Sequence, residues 1–413
     1  MKAPCPEARK SLLLYPLSDG FERGMILCGK NGFFMDNLNS ENIATSAEGA
    51  ASAENVKVSV IIPVYNAHEF LPKALETICA QDFTDFEIIL VDDGSTDRSL
   101  DIIKEFKERD QRIRIITENN AGPAAARNKG LSRARGKYVI FLDADDFYEP
   151  TLLSSLYNMS EQAELDVAVA DFDIYSTKHA RFEHNVESDH FELLTEGRVI
   201  SKSTYPDHIL QCATGYVWNK MFRRDFLTEN ELSFNTSLKI FEDVHFVMTA
   251  LATAGAIAKK CEVLVHHRIY KEQSRPKMFK QHYINVFSVY SELKKFLMHK
   301  GIYAPISSSF INLSANRCYK IYNILWKDAK ENFWNLIHDE YADALGWKSA
   351  SPEEIENPAV RSFIAAASLY THKQFVKKKK TATFVADEGV EQKFKRKKAL
   401  VHFIAMLRFG RGN

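Results

Sequence analysis

No stretch of this 413-residue chain approaches the ~18–20 consecutive apolar residues that a membrane-spanning helix requires. Near the N-terminus the apolar run Leu12-Leu13-Leu14, soon interrupted by Pro16, is too short for a secretory signal. Cysteine is sparse: Cys5, Cys28, Cys79, Cys212, Cys261 and Cys318 are scattered with no C-x-x-C spacing, which argues against zinc or a redox pair and for a reducing compartment. Charge of one sign is also missing. Lys+Arg and Asp+Glu both number 54, so nothing global points to nucleic acid. Neither G-x-G-x-x-G nor G-x-x-x-x-G-K-[ST] occurs at the turns where a dinucleotide fold or a P-loop would need it. The expectation is a cytoplasmic chain, neither exported nor transmembrane.

What remains is an ordinary globular composition, 45% apolar and 26% charged, long enough for two or three structural units. Residues 1–55 show no sustained period and read as a flexible leader. From Val56 the pattern changes. Val58 to Pro63 is a β-branched run suited to a strand buried on both faces, and Phe86 to Val91 is a second. Between them Phe70, Leu71, Ala74, Leu75 and Ile78 recur at helical spacing. A further helix over about 96–109, an alternating strand at 112–116 nearer the sheet edge, a helix over 124–135 and a strand at 138–142 complete four strand–helix alternations. The pattern predicts a doubly wound, mostly parallel α/β sheet with a nucleotide-binding half at 56–172. A second half at 173–275 carries a helix over 244–254 and a strand at 263–270. Helical period then dominates to 372, and a basic tail occupies 373–413.

In doubly wound sheets ligands sit beyond the carboxyl ends of the strands, and the chemistry-bearing residues follow strands here. Asp143, Asp145 and Asp146 gather like charge at a strand end, an expensive arrangement unless a cation neutralises it. Hard oxygen ligands suit Mn²⁺ or Mg²⁺ shared with phosphate; an isolated D-x-D also reads as a solvated acidic turn. Asp93, in the Asp92-Asp93-Gly94-Ser95 turn, can reach a base or ribose donor, although the turn equally serves to cap the next helix. Gly122 to Asn128 opens a helix with small residues and then offers Arg127 to a diphosphate. Glu242-Asp243 precedes an apolar helix, where a carboxylate can act as a general base or simply complement the helix dipole. His266, His267 and Arg268 can supply a metal ligand or a diphosphate contact, or serve structure alone.

Taken together, Val58 to Asn66, Val91 to Asp97, Gly122 to Asn128 and Phe141 to Asp146 resemble glycosyltransferase family 2, of the GT-A fold. The resemblance continues through Val217-Trp218-Asn219-Lys220 and Phe241-Glu242-Asp243, as in bacterial transferases that build cell-surface polysaccharides, and covers roughly 56–275. It implies that Pro63, Tyr65, Asn66 and Asp93 line a nucleoside pocket, usually for UDP, and that Arg127 and Asn128 lie close to the donor. It further implies that Asp143 contacts the donor, Asp145 holds the divalent cation and Asp243 is the base of an inverting displacement. Trp218 is counted with the substrate-binding residues and His266 with the metal. His266-His267 stand where relatives often carry aromatic residues, which leaves the metal's protein ligands open. The implied activity is hexosyl or N-acetylhexosaminyl transfer to a glycan or lipid-linked acceptor; a catalytically inactive scaffold of a glycan-assembly complex is the alternative. A nucleotidyltransferase would need a Gly-rich basic loop where Pro63-Val64-Tyr65-Asn66 stands.

From Lys373 onward twelve Lys+Arg face three Asp+Glu, and Lys393 to Lys398 leads into the apolar run Ala399 to Leu407. That combination suits an interfacial helix on an anionic membrane, and equally a basic linker before a helix that packs on the catalytic domain.

Overall fold

The computed structural model describes residues 56–183, 194–269 and 282–380. The leader at 1–55 and the apolar run at 399–407 lie outside them. The chain alternates through β1 (Val58–Val64), α1 (Leu71–Cys79), β2 (Phe86–Asp92), α2 (Ser99–Arg109), β3 (Ile113–Thr117), α3 (Pro123–Leu131) and β4 (Tyr138–Phe141). The short β5 (Phe147–Tyr148), α4 (Leu152–Ala163), β6 (Val167–Ser176), β7 (Arg181–Glu183), β8 (Lys220–Arg223), α5 (Arg224–Glu229), α6 (Glu242–Thr253) and β9 (Ile257–Ile269) follow. One sheet takes the order β3-β2-β1-β4-β8-β6-β9-β5, with β7 on β6.

The run β3-β2-β1-β4 is parallel throughout, as expected from its buried β-branched strands. Beyond it the sheet is mixed: β8 enters antiparallel between β4 and β6, and β6 pairs parallel with β9. Strand β1 is buried on both faces because one hydrophobic cluster takes Ile61, Ile89 and Phe141 while another takes Val60, Ile62 and Ile88. Helix α3 lies so close to β1 that a Cβ on Gly130 would meet Ile61 Cγ2 at 2.4 Å; only glycine permits that approach. Strand β3 is the sheet edge and is correspondingly half-exposed.

Among the described residues, five helices of nine residues or more cover the C-terminal part: α7 (Asn285–His299), α8 (Ser307–Ile324), α9 (Lys327–Leu336), α10 (Pro358–Leu369) and α11 (His372–Lys380). Their apolar residues, among them Phe287, Phe333, Trp334 and Phe363, belong to the same continuous cluster as Ile61 and Phe141 of the sheet. The helical region therefore buries one face of the α/β part. The start of the basic tail is helix α11, where Phe375 stacks on Trp334 at 4.2 Å. No helix among the described residues is long and apolar enough to cross a membrane.

Candidate active site

The carboxyl ends of β1, β2 and β4 open onto one cleft, and Pro63, Tyr65, Asn66, Asp93, Arg127, Asp143 and Asp145 all line it. Two backbone devices shape its wall. Asn66 adopts a left-handed conformation (φ 47°), tolerated because its side chain bonds locally, with Oδ1 accepting from the Thr96 N–H at 2.8 Å. Asp93 is buried, and its carboxylate accepts the N–H groups of Ala121 (2.7 Å) and Gly122 (2.9 Å), tying the turn after β2 to the start of α3. Burial pushes its pKa up despite those two bonds.

Arg127 is the cation at the floor of the cleft. Its side chain is 1% exposed, with Nη2 donating to Asp143 Oδ1 (2.9 Å) and Nη1 to Glu242 Oε1 (3.1 Å). Asp243 adjoins Glu242 and is equally buried. Burial raises all three carboxyls against the pull of the guanidinium: Asp143 and Glu242 each to about 6, and Asp243, next to Glu242, well above the usual carboxylate range. Asp243 Oδ1 and Glu242 Oε2 find no hydrogen-bond partner among the described residues. A buried carboxyl with an open oxygen and a perturbed pKa is a candidate proton-transfer group.

Asp143, Asp145 and Asp146 bring one ligand atom each to within 4.8 Å of one another, and carboxylate oxygens are the donors a hard divalent cation takes. Asp146 is fully buried; its Oδ1 accepts the Arg268 N–H (2.8 Å) and its Oδ2 meets His267 Nδ1 (3.0 Å). Arg268 donates Nε to the Asp145 carbonyl (2.9 Å), its guanidinium resting over Phe70 and Phe147. Strand β9 thus carries the partners that set the aspartate turn.

Three expected site residues stand elsewhere. His266 is not in the aspartate group: Nδ1 meets Asp173 Oδ1 and Nε2 meets Glu149 Oε1, both at 2.7 Å, so neither nitrogen is open to a metal. Burial alone would lower its pKa, but those carboxylates outweigh it and raise it. Trp218 is fully buried and stacks on His267 (4.8 Å, 11°), which makes it a support for the Asp146 partner instead of a substrate contact. Asn128 uses its amide twice on one residue, Nδ2 donating to the Phe234 carbonyl and Oδ1 accepting the Phe234 N–H, each at 2.8 Å. It faces the segment leading to α6 and does not line the cleft. A fourth, Asp243, does not line the cleft either; it adjoins Glu242, which bonds Arg127. Sequence reasoning missed Glu242 as a partner of Arg127 and gave Lys220 no role; the only local signal was that both neighbour residues already singled out.

Residues 59–229 match the family model "Glycosyl transferase family 2". The chain is 32% identical over 220 residues to glycosyltransferase GlyA of Streptococcus pneumoniae, a match covering 53% of this chain and 30% of GlyA. It is 29% identical over 278 residues to the uncharacterized glycosyltransferase YibD of Escherichia coli, covering 64% of this chain and 79% of YibD. The chain thus spans less than a third of GlyA and most of YibD. Among solved structures, S. aureus TarS 1-349 superposes with a TM-score of 0.59 at 19% identity over 80% of this chain and 93% of that one, a likeness in fold, and the fold is GT-A. Residues 59–229 of this chain are a glycosyl transferase family 2 domain.

Proposed function

We propose that the chain moves a sugar from a UDP-sugar to a hydroxyl of a glycan or lipid-linked acceptor by a metal-assisted, inverting displacement. The observation that carries this reading is the convergence on Arg127 of Asp143, from the aspartate turn, and Glu242, neighbour of Asp243. It links the cation ligands that line the cleft, through one buried ion-pair network, to a candidate base beside it. Asp145, with Asp143 and Asp146 beside it, would hold Mn²⁺ or Mg²⁺; such an ion, when bound, neutralises the leaving diphosphate. Pro63, Tyr65, Asn66 and Asp93 would hold the nucleoside. Asp243 Oδ1 would take the acceptor proton as the hydroxyl attacks the anomeric carbon from the face opposite the diphosphate. No covalent intermediate is required. The S. aureus TarS 1-349 structures were determined with UDP and with UDP-GlcNAc, which puts UDP-GlcNAc first among donors to try.

The test is release of nucleoside diphosphate from a panel of UDP- and GDP-sugars with Mn²⁺ or Mg²⁺, with product configuration read by NMR. Metal-dependent release and an inverted anomeric centre are expected. A retained configuration would overturn the single displacement, and an inert panel with intact nucleotide binding would favour the scaffold alternative. The basic tail supports attachment to the cytoplasmic face of an anionic membrane. Removal of residues 381–413 should then abolish co-sedimentation with phosphatidylglycerol vesicles; unchanged co-sedimentation would contradict the attachment.

A further inference from the structure

Lys220 opens β8 with its side chain fully buried. Burial of an ammonium costs several kcal/mol unless hydrogen bonds replace its water. Here Nζ donates to the Tyr216 carbonyl (2.6 Å), to Asn219 Oδ1 (2.7 Å) and to Thr214 Oγ1 (3.4 Å). All three acceptors lie in residues 214–219, so this segment is wrapped around the cation that ends it. Asn219 in turn donates Nδ2 to the Ala170 carbonyl at 2.8 Å, fastening the wrap to β6.

The wrapped segment leans on the first turn of α6. A Cβ on Gly215 would stand 2.9 Å from Cγ2 and 3.3 Å from Cα of Val244, the residue after Asp243. Lys220 also lies within electrostatic reach of Asp243 itself. The helix needs an external hold there, because it starts from Phe241 in the left-handed region (φ 61°), a conformation that a bulky residue adopts only where its surroundings impose it.

We infer that Lys220 is a positioning residue for transfer: its Nζ hydrogen bonds set the shape of segment 214–219, which presses on the first turn of α6 and fixes the Asp243 carboxylate. The inference rests on Asp243 being the base. A lysine that merely filled the core would behave differently, since exchanging a buried charge for an apolar side chain of similar length is often neutral.

The experiment compares Lys220→Met and Gly215→Ala with wild type in the full chain. It uses amide hydrogen exchange over 212–219 and 241–246, calorimetric UDP binding, and kcat and KM for the donor that the panel identifies. Lys220→Met should speed exchange in both segments about tenfold. It should lower kcat by about tenfold or more while UDP Kd and donor KM stay within about twofold, a split that general loss of folding would not give. Gly215→Ala leaves the lysine bonds intact but pushes the segment off Val244, and it should reproduce the faster exchange at 241–246 and the kcat-only loss; it carries the test if Lys220→Met does not fold. Unchanged exchange at 241–246 in the folded variants, or an unchanged kcat, would overturn the inference. Exchange needs no turnover, so an inert wild type would count against the transferase reading and leave the Lys220 test standing.

Discussion

Arg127 and Glu242 stand 115 positions apart in the chain and 3.1 Å apart in the fold, each with 1% of its side chain exposed. The pair joins α3 to α6, and Asp143 on the second guanidinium nitrogen joins both to the end of β4. Removing the cation would take from Asp143, Glu242 and Asp243 the counter-charge that they share. Arg127→Met should therefore lose about 3–5 kcal/mol of stability in urea titrations, the usual cost of deleting one member of a buried ion pair. A loss under about 1 kcal/mol would show that the carboxyls already accommodate one another by binding protons.

Asp243→Asn keeps the size of the side chain and removes its ability to take a proton. It should lower kcat by about 10²–10⁴-fold while calorimetric UDP binding changes little, because Asp243 does not line the cleft. Weakened UDP binding with kcat preserved would assign Asp243 to the donor side.

Asn128→Asp sets a carboxylate oxygen against the Phe234 carbonyl where an amide N–H now donates at 2.8 Å. The expected cost is about 1–3 kcal/mol, that of an unmet and opposed polar group, seen as a lowered melting temperature with UDP affinity maintained. A variant with unaltered stability and weakened UDP binding would restore Asn128 to the donor site.

Burial lowers the pKa of Lys220 to about 7. Its sign follows from linkage. Below pH 7 the folded and unfolded chains both hold the proton and the burial penalty is present in full. Between pH 7 and the ordinary value of 10.5 the unfolded chain binds more protons, so this group adds stability as pH rises. The stability of wild type relative to Lys220→Met should accordingly increase from pH 7 to pH 9 in urea titrations; a flat or falling difference would show that Lys220 keeps its charge throughout.

Strands β1, β2 and β4 were legible because each is a short apolar run buried on both faces, β3 because its alternation marks a sheet edge, and the seven cleft residues because they end or follow those strands or open α3. Helix α2 begins at Ser99, later than the spacing implied, because the Asp97 carboxylate accepts the Ser99 N–H at 2.9 Å and ends the turn there. Strand β9 is longer than its apolar part, starting at Ile257; Lys259 to Glu262 hide that half in sequence, where Lys259 is paired with Asp171 at 2.7 Å. His266, Trp218 and Asn128 were misplaced for one physical reason. Each is fixed by a partner that the fold supplies, Asp173 and Glu149 for His266, His267 for Trp218 and Phe234 for Asn128, and no local period reports a contact across the fold.

Through Arg127 the aspartates that line the cleft are linked to the buried Glu242-Asp243 pair, the proposed cation site to the proposed base. The most direct test is release of nucleoside diphosphate from the accepted donor in Mn²⁺, comparing wild type with Asp145→Ala and Asp243→Asn, both checked as folded by circular dichroism. Turnover lost in both variants, with UDP binding retained in Asp243→Asn, is the predicted result. Wild-type rates in either variant would contradict it.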